Sequence, residues 1–331
     1  VSGYLSYAAQ ARHYFDRPHA GVLREPPLAS PAAWRGPALA GRDDWRVRLD
    51  AAQVAEIEAA QRAAEATGTP TGELTADDFP LPTLAAEIAR WRGELTDGRG
   101  FLLVSGLPVA RWSEPQAERA FWCLGLHLGR PGAQNAAGDL LGHVTDLGED
   151  VTDPHVRLYR TAADIAYHCD AADVVGLLCL RPARRGGLSR IVSSVSVYAE
   201  LLRRRPDLVP RLYEPFRLDV RSEGDRAGLR WLPIPPCRYA GGRLRTFYHS
   251  DYFRSVVRHD DVPPLDAEER ELLDVYEAIA ADPALYLDME LGAGDVQWLS
   301  NHVVLHARTA YEDDPDPARK RHLLRLWLSI A

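Results

Sequence analysis

Lysine is almost missing from this chain: of 39 basic side chains, only Lys320 is not an arginine. That skew, with abundant alanine and glycine, reads as a GC-rich coding bias and hence a bacterial source, and it says nothing about fold. Cysteine is scarce as well. Cys123, Cys169, Cys179 and Cys237 have no CxxC spacing, so no disulfide framework is expected. No apolar run approaches the roughly 18 residues that span a bilayer, and no signal-peptide core opens the chain, so a cytoplasmic location is expected. Excess positive charge is absent too. A net charge of -8 and a pI near 5.8 exclude nucleic acid or an anionic membrane as a bulk electrostatic partner. No G-x-S-x-G, G-x-G-x-x-G or Walker loop occurs, which leaves serine-hydrolase and phosphate-loop chemistry unsupported.

What remains is a soluble-type composition on 331 residues, long enough to bury a large core. Residues 1–45 are rich in proline and glycine and read as an irregular arm lying on the body. Helical spacing follows over 50–67 and from Thr83 to before Gly98. Phe101-Leu102-Leu103-Val104 reads as a buried strand, and Ser113 with Gln116 as a capping box. Beyond residue 166 strands dominate: 173–180, 190–194, 287–291 and 296–300. Helices are expected over 196–204 and from Asp266, with Glu269 in box position. With no repeat and no clean linker, a single domain over 1–331 is expected. Helices early and strands late suggest an α+β layout.

The last thirty residues pose the chemical question. Arg321-His322-Leu323-Leu324-Arg325-Leu326-Trp327-Leu328 alternates with period two. Leu324, Leu326 and Leu328 share one face; Arg321, Leu323, Arg325 and Trp327 share the other. A strand here is expected to be buried on both sides, and an unpaired buried charge costs several kcal/mol. The two arginines therefore call for an anion, and His306 lies one strand upstream.

A His-x-Asp pair on a strand presents imidazole and carboxylate on one face. With a distant histidine it makes a two-histidine, one-carboxylate set that suits Fe(II) and leaves positions open. Chance supplies roughly one or two His-x-acid matches at this composition, so the motif alone is weak. Three occur. His259-Asp260-Asp261 sits in a charged, proline-bounded loop. His249-Ser250-Asp251 sits among aromatics that suit a pocket wall or plain core packing. His168-Cys169-Asp170, before an apolar strand and a hydroxyl at Ser189, has the best context. For the distal ligand, His302 and His306 are four residues apart, so parity on an extended segment leaves both open. A zinc hydrolase could share such a set, but it would not explain Arg321 and Arg325, which fit a dicarboxylate gripped bidentately.

With these residues, the chain resembles the taurine dioxygenase family of Fe(II)/2-oxoglutarate-dependent oxygenases. The resemblance is carried by the stretch 100–108, Gln134-Asn135, His168-x-Asp170, Gly186-Gly187-Leu188-Ser189, Gly294-Asp295, Asn301 through Thr309, and 321–325. It implies His168, Asp170 and His306 as iron ligands, Arg321 and Ser189 on the remote carboxylate of 2-oxoglutarate, and Arg325 beside the substrate. It implies a double-stranded β-helix (jelly-roll) core with helices outside. It also implies O2-dependent hydroxylation of a small molecule, with release of succinate and CO2. Tyr159, Tyr167, Tyr248, His249, Tyr252 and Trp298 are candidate pocket aromatics, and Arg325 hints at a carboxylate-bearing substrate. The alternatives are a non-catalytic binding protein and a metal-dependent hydrolase on a similar barrel.

Overall fold

In a computed structural model, residues 3–149, 157–220 and 230–330 are described. Two sheets hold the site. Their strands, in chain order, are β1 (Arg46–Arg48), β2 (Phe101–Ser105), β3 (Arg130–Gly132), β4 (Leu141–Val144), β5 (Ile165–His168), β6 (Val174–Arg181), β7 (Ser189–Ser193), β8 (Leu287–Met289), β9 (Val296–Ser300), β10 (Val304–Arg308) and β11 (His322–Ser329). The larger sheet runs β1-β2-β9-β6-β11-β3, with β4 also paired to β11. The smaller runs β8-β7-β10-β5. Every pairing is antiparallel except β1 with β2.

Alternation along β11 shows how the layers arise. Leu324, Leu326 and Leu328 point outward into a core shared with the helices α2 (Ala51–Ala66), α3 (Leu84–Thr96) and α4 (Glu114–Leu128). Leu323 and Trp327 point inward, into a core that also takes Ile191, Met289 and Val304 from the smaller sheet. The smaller sheet's other face, through Val192 and Leu305, packs on the helices α5 (Ser194–Arg204) and α6 (Ala267–Ala280). The two sheets therefore face each other between helical layers. Each of these buried leucines contributes about 1.5–3 kcal/mol. Gly176 on β6 is required by close approach: a Cβ there would lie 2.2 Å from the Trp298 ring.

Local signals set the helix starts. Gln116 Oε1 accepts the Ser113 N–H at 3.0 Å, and Asp266 and Glu269 exchange backbone bonds at 2.7 and 2.9 Å. Three expectations are corrected. The arm over 1–45 is not wholly irregular, because α1 (Tyr7–Phe15) is a helix capped by Ser6. The stretch 214–258 reads in sequence as mixed strands and turns, but residues 250–258 are helical. His168 does not open the apolar strand: it ends β5 in the smaller sheet, and the chain crosses to the larger sheet before β6. No helix among the described residues is long and apolar enough to cross a membrane.

Candidate active site

Where β5 and β10 pair, His168 stands opposite His306, with ring centroids 4.2 Å apart. Asp170 follows at the crossover, where Asn301 fixes the turn. Asn301 Oδ1 accepts the Asp170 N–H at 3.0 Å, and its Nδ2 donates to the Ala172 carbonyl at 2.9 Å. The Asp170 carboxylate then lies 3.7 Å from His306 Nε2. One ligand atom from each of the three residues falls within 4.8 Å of the others. His168 Nδ1 is 2.9 Å from the Ala166 carbonyl. A carbonyl only accepts, so Nδ1 carries a proton and Nε2 is the nitrogen left for a metal. Burial, with His168 alongside, pushes His306 down to about 3, so its imidazole is neutral. Asp170 Oδ2 and His306 Nδ1 are buried without a hydrogen-bond partner among the described residues. Two imidazoles and one underbonded carboxylate are a donor set for a divalent transition metal.

A second group, Glu114, His143 and His322, also has ligand atoms in mutual reach. It differs chemically. Arg181 donates to His322 Nδ1 at 3.0 Å, so His322 Nε2 carries a proton and donates it to His143 Nδ1 at 2.9 Å. The facing nitrogens satisfy each other. The other candidate histidines are also engaged. His302 lies in the turn before β10, not on the strand, and its Nε2 bonds Asp173 at 2.7 Å. His259 faces Asp219 at 3.3 Å. His249 stacks on Tyr252 at 3.7 Å and lines the cavity beside His168.

Arg325 reaches the metal-type cluster from β11. Its Nη1 is 3.6 Å from Asp170, its Nε donates to Gln134 at 2.7 Å, and its guanidinium lies 4.7 Å over the Tyr159 ring. Gln134 donates back to the Arg325 carbonyl at 2.8 Å. Gln134 and Asn301 therefore position site residues, a role that spacing alone could not assign. Burial works against the charge of Asp170, but Arg325 and the two imidazoles outweigh it and lower its pKa.

Arg321 is buried, and its Nη1 has no acceptor among the described residues. Burial lowers its pKa. Gly187, at φ +68°, makes room for it, since a Cβ there would sit 3.1 Å from Arg321 Nε. Arg308, not singled out from sequence, is buried nearby. Burial and the charge of Arg321 lower its pKa to about 10. Ser189 donates to Gln297 at 2.8 Å. Buried guanidiniums without ionic partners fit an anionic ligand.

These groups border one cavity of about 620 Å³, which takes in His168, Asp170, His306, Ser189, Arg308, Arg321, Arg325 and Tyr159. Three expected pocket aromatics do not reach it. Tyr167 precedes His168 on β5 and so faces the opposite side, into the helix-covered core. Tyr248 stacks on Tyr276 at 4.4 Å in that same core. Trp298 faces the outer helices, beside Phe121 at 5.5 Å. One cavity wall comes from a segment that showed no chemistry in the sequence: Tyr7, Ala8, Ala11, Arg12 and Phe15 of α1.

Comparisons with known proteins agree with this geometry. A family model described as taurine catabolism dioxygenase TauD, TfdA family matches residues 65–327. The chain is 30% identical over 323 residues to FR-33289 synthase of Streptomyces rubellomurinus, covering 93% of this chain and 92% of that protein. It is 29% identical over 320 residues to taurine hydroxylase-like protein SAT17 of Stachybotrys chartarum, covering 93% and 81%. In fold it is similar to asparagine oxygenase in complex with Fe(II), 2S,3S-3-hydroxyasparagine and succinate. That match has a TM-score of 0.69 at 17% identity and covers 86% of this chain and 93% of that one. It is also similar to the non-heme iron oxygenase OrfP in complex with Fe and alpha-ketoglutaric acid, with a TM-score of 0.63 at 16% identity, covering 86% and 94%.

Proposed function

The chain belongs to the TauD/TfdA family of taurine catabolism dioxygenases, and from that premise we propose that His168, Asp170 and His306 hold its iron. It is an Fe(II)/2-oxoglutarate-dependent dioxygenase. One observation carries the site assignment: two imidazoles and a carboxylate converge in the same cavity as a buried guanidinium without an anion. We read the two facing sheets as a double-stranded β-helix and the chain as one domain, with residues 1–45 packed on it.

When bound, iron and 2-oxoglutarate supply the oxidising chemistry, in which the keto acid is cleaved to succinate and CO2 and an oxygen atom enters a C–H bond of the substrate. The protein's part is positioning. The Ala166 carbonyl holds the His168 proton on Nδ1, so that Nε2 faces the metal. Asn301 fixes Asp170 through its backbone. Arg321 grips the remote carboxylate of 2-oxoglutarate, with Ser189 beside it. Arg325, braced by Gln134 and Tyr159, orients an anionic group of the substrate.

The substrate is a small, carboxylate-bearing molecule of amino-acid type. This rests on Arg325 and on fold neighbours whose bound molecules are hydroxyasparagine and hydroxyarginine. The test is a screen of amino acids and small acids for substrate-stimulated succinate release with Fe(II). Stimulation by a carboxylate-bearing compound, with one hydroxylated product per succinate, is the expected result. No succinate release under any condition would overturn the enzymatic reading.

A further inference from the structure

We propose that Arg308 is a second binding residue for the remote carboxylate of 2-oxoglutarate, sharing that anion with Arg321; this rests on the oxygenase reading above. Along β10, side chains two residues apart point to one face. Arg308 therefore faces the cavity alongside His306, displaced by about 7 Å along the strand. A diacid held beside His306 by its keto end would reach Arg308 with its far carboxylate. The neighbouring strand agrees: Ser189 stands directly opposite Arg308 in register. Arg321 enters from β11's leading edge, and the two guanidiniums flank a shared ring, 4.9 and 5.0 Å from the Tyr311 centroid.

The hydrogen bonding of Arg308 is half complete. Nη2 donates to the carbonyls of Thr161 at 2.8 Å, Leu158 at 3.4 Å and Ala163. Nε and Nη1 are buried and have no acceptor among the described residues. Neither Arg308 nor Arg321 forms a direct ion pair with a carboxylate among the described residues, so the two like charges sit together with no acceptor anion in contact. A structural tie to the 158–163 segment accounts for one nitrogen only. A bound carboxylate offers the two acceptor oxygens that the other donors and Arg321 lack.

The test is calorimetric titration without O2, with Mn(II) replacing Fe(II), so that binding is read without turnover. Two acids are compared: 2-oxoglutarate, and 2-oxopentanoate, which keeps the chelating end but lacks the remote carboxylate. The wild-type protein is expected to prefer the diacid. Arg308→Met is expected to weaken the diacid by roughly 10- to 100-fold and to leave the monoacid unchanged. Arg308→Lys, which keeps the charge, should retain most of the preference. The proposal is overturned if Arg308→Met keeps the wild-type ratio while Arg321→Met abolishes it. Equal weakening of both acids by Arg308→Met also overturns it, because that marks a purely structural tie. A wild-type protein that binds neither acid overturns the oxygenase reading itself, and this outcome is distinct from the other two.

Discussion

Asp170 is charged against its surroundings. Burial disfavours the carboxylate, and Arg325, the His306 and His168 rings and Trp327 together keep its pKa below the ordinary value. His306 is the converse, a base held neutral down to about 3 by burial and the neighbouring imidazole. At neutral pH Asp170 thus offers a negative charge and His306 a lone pair, states a divalent cation takes without first displacing protons from them. Asp170→Ala and His306→Ala should each lower bound iron and 2-oxoglutarate turnover by more than the roughly 10- to 100-fold that loss of an outer contact costs. His259→Ala should change neither, since it faces Asp219. Metal analysis and succinate assay check this, and retained activity in either of the first two variants would break the ligand assignment. Spacing in the sequence left His302 and His306 equivalent because it presumes one extended segment. The turn at 301–303 breaks that parity and sends His302 to Asp173. Similarly, Tyr167 was readable as an aromatic next to a ligand, but the alternation of β5 turns it away from the cavity.

At the scale of elements, α1 is the instructive case. Nine residues are too short for a helix to persist alone, and proline and glycine around it obscure the pattern, so tertiary contacts must hold it. They do so through one carboxylate. Asp173 bonds His13 at 2.7 Å, pairs with Arg17, accepts from His302 at 2.7 Å and receives the Ile330 N–H at 2.8 Å. Tyr14 adds a bond to the Asn301 carbonyl at 2.9 Å. The cavity wall is therefore latched three residues from Asp170, and no local signal could reveal a latch built from positions 13, 17, 173, 302 and 330. Elements with capping boxes, α4 and α6, were legible because their information is local. Burial raises the Asp173 pKa, but the His302 bond, its charge and Arg17 win, and the net shift is downward. A depressed carboxylate contributes stability that is present above its unfolded value of about 3.9 and is lost as pH falls through the folded one. Asp173→Asn should cost about 3–5 kcal/mol at pH 7, as for other broken buried pairs. In paired melts the gap from wild type should shrink as pH drops below about 4. A gap independent of pH would show that the charge of Asp173 is not what holds α1.

For the whole molecule, the α+β character was visible in the order of helical and strand periodicity, whereas the sheet order was not. β2 neighbours β9, nearly two hundred residues later, and such pairings leave no mark on local pattern. What the period-two pattern of the last strand did convey was that charge must sit indoors. The structure puts Arg308, Arg321 and Arg325 around one cavity between the sheets. Arg325 faces Asp170, but the like charges of Arg308 and Arg321 destabilise the ligand-free protein, because their desolvation is not repaid by an ion pair among the described residues. A bound dianion removes that penalty and ties both sheets to one molecule. Folding and ligand binding are then linked, and the protein should gain stability from 2-oxoglutarate with Mn(II). The gain should be about 2.7 kcal/mol when free ligand stands at about a hundred times its Kd. Thermal melts should show a saturable rise with the pair together and a smaller one with Mn(II) alone. Arg321→Met should melt at or above wild type without ligand, since it removes a buried unpaired charge, and it should lose most of the 2-oxoglutarate increment. Equal increments in wild type and Arg321→Met would mean that the guanidinium in the cavity does not hold the diacid.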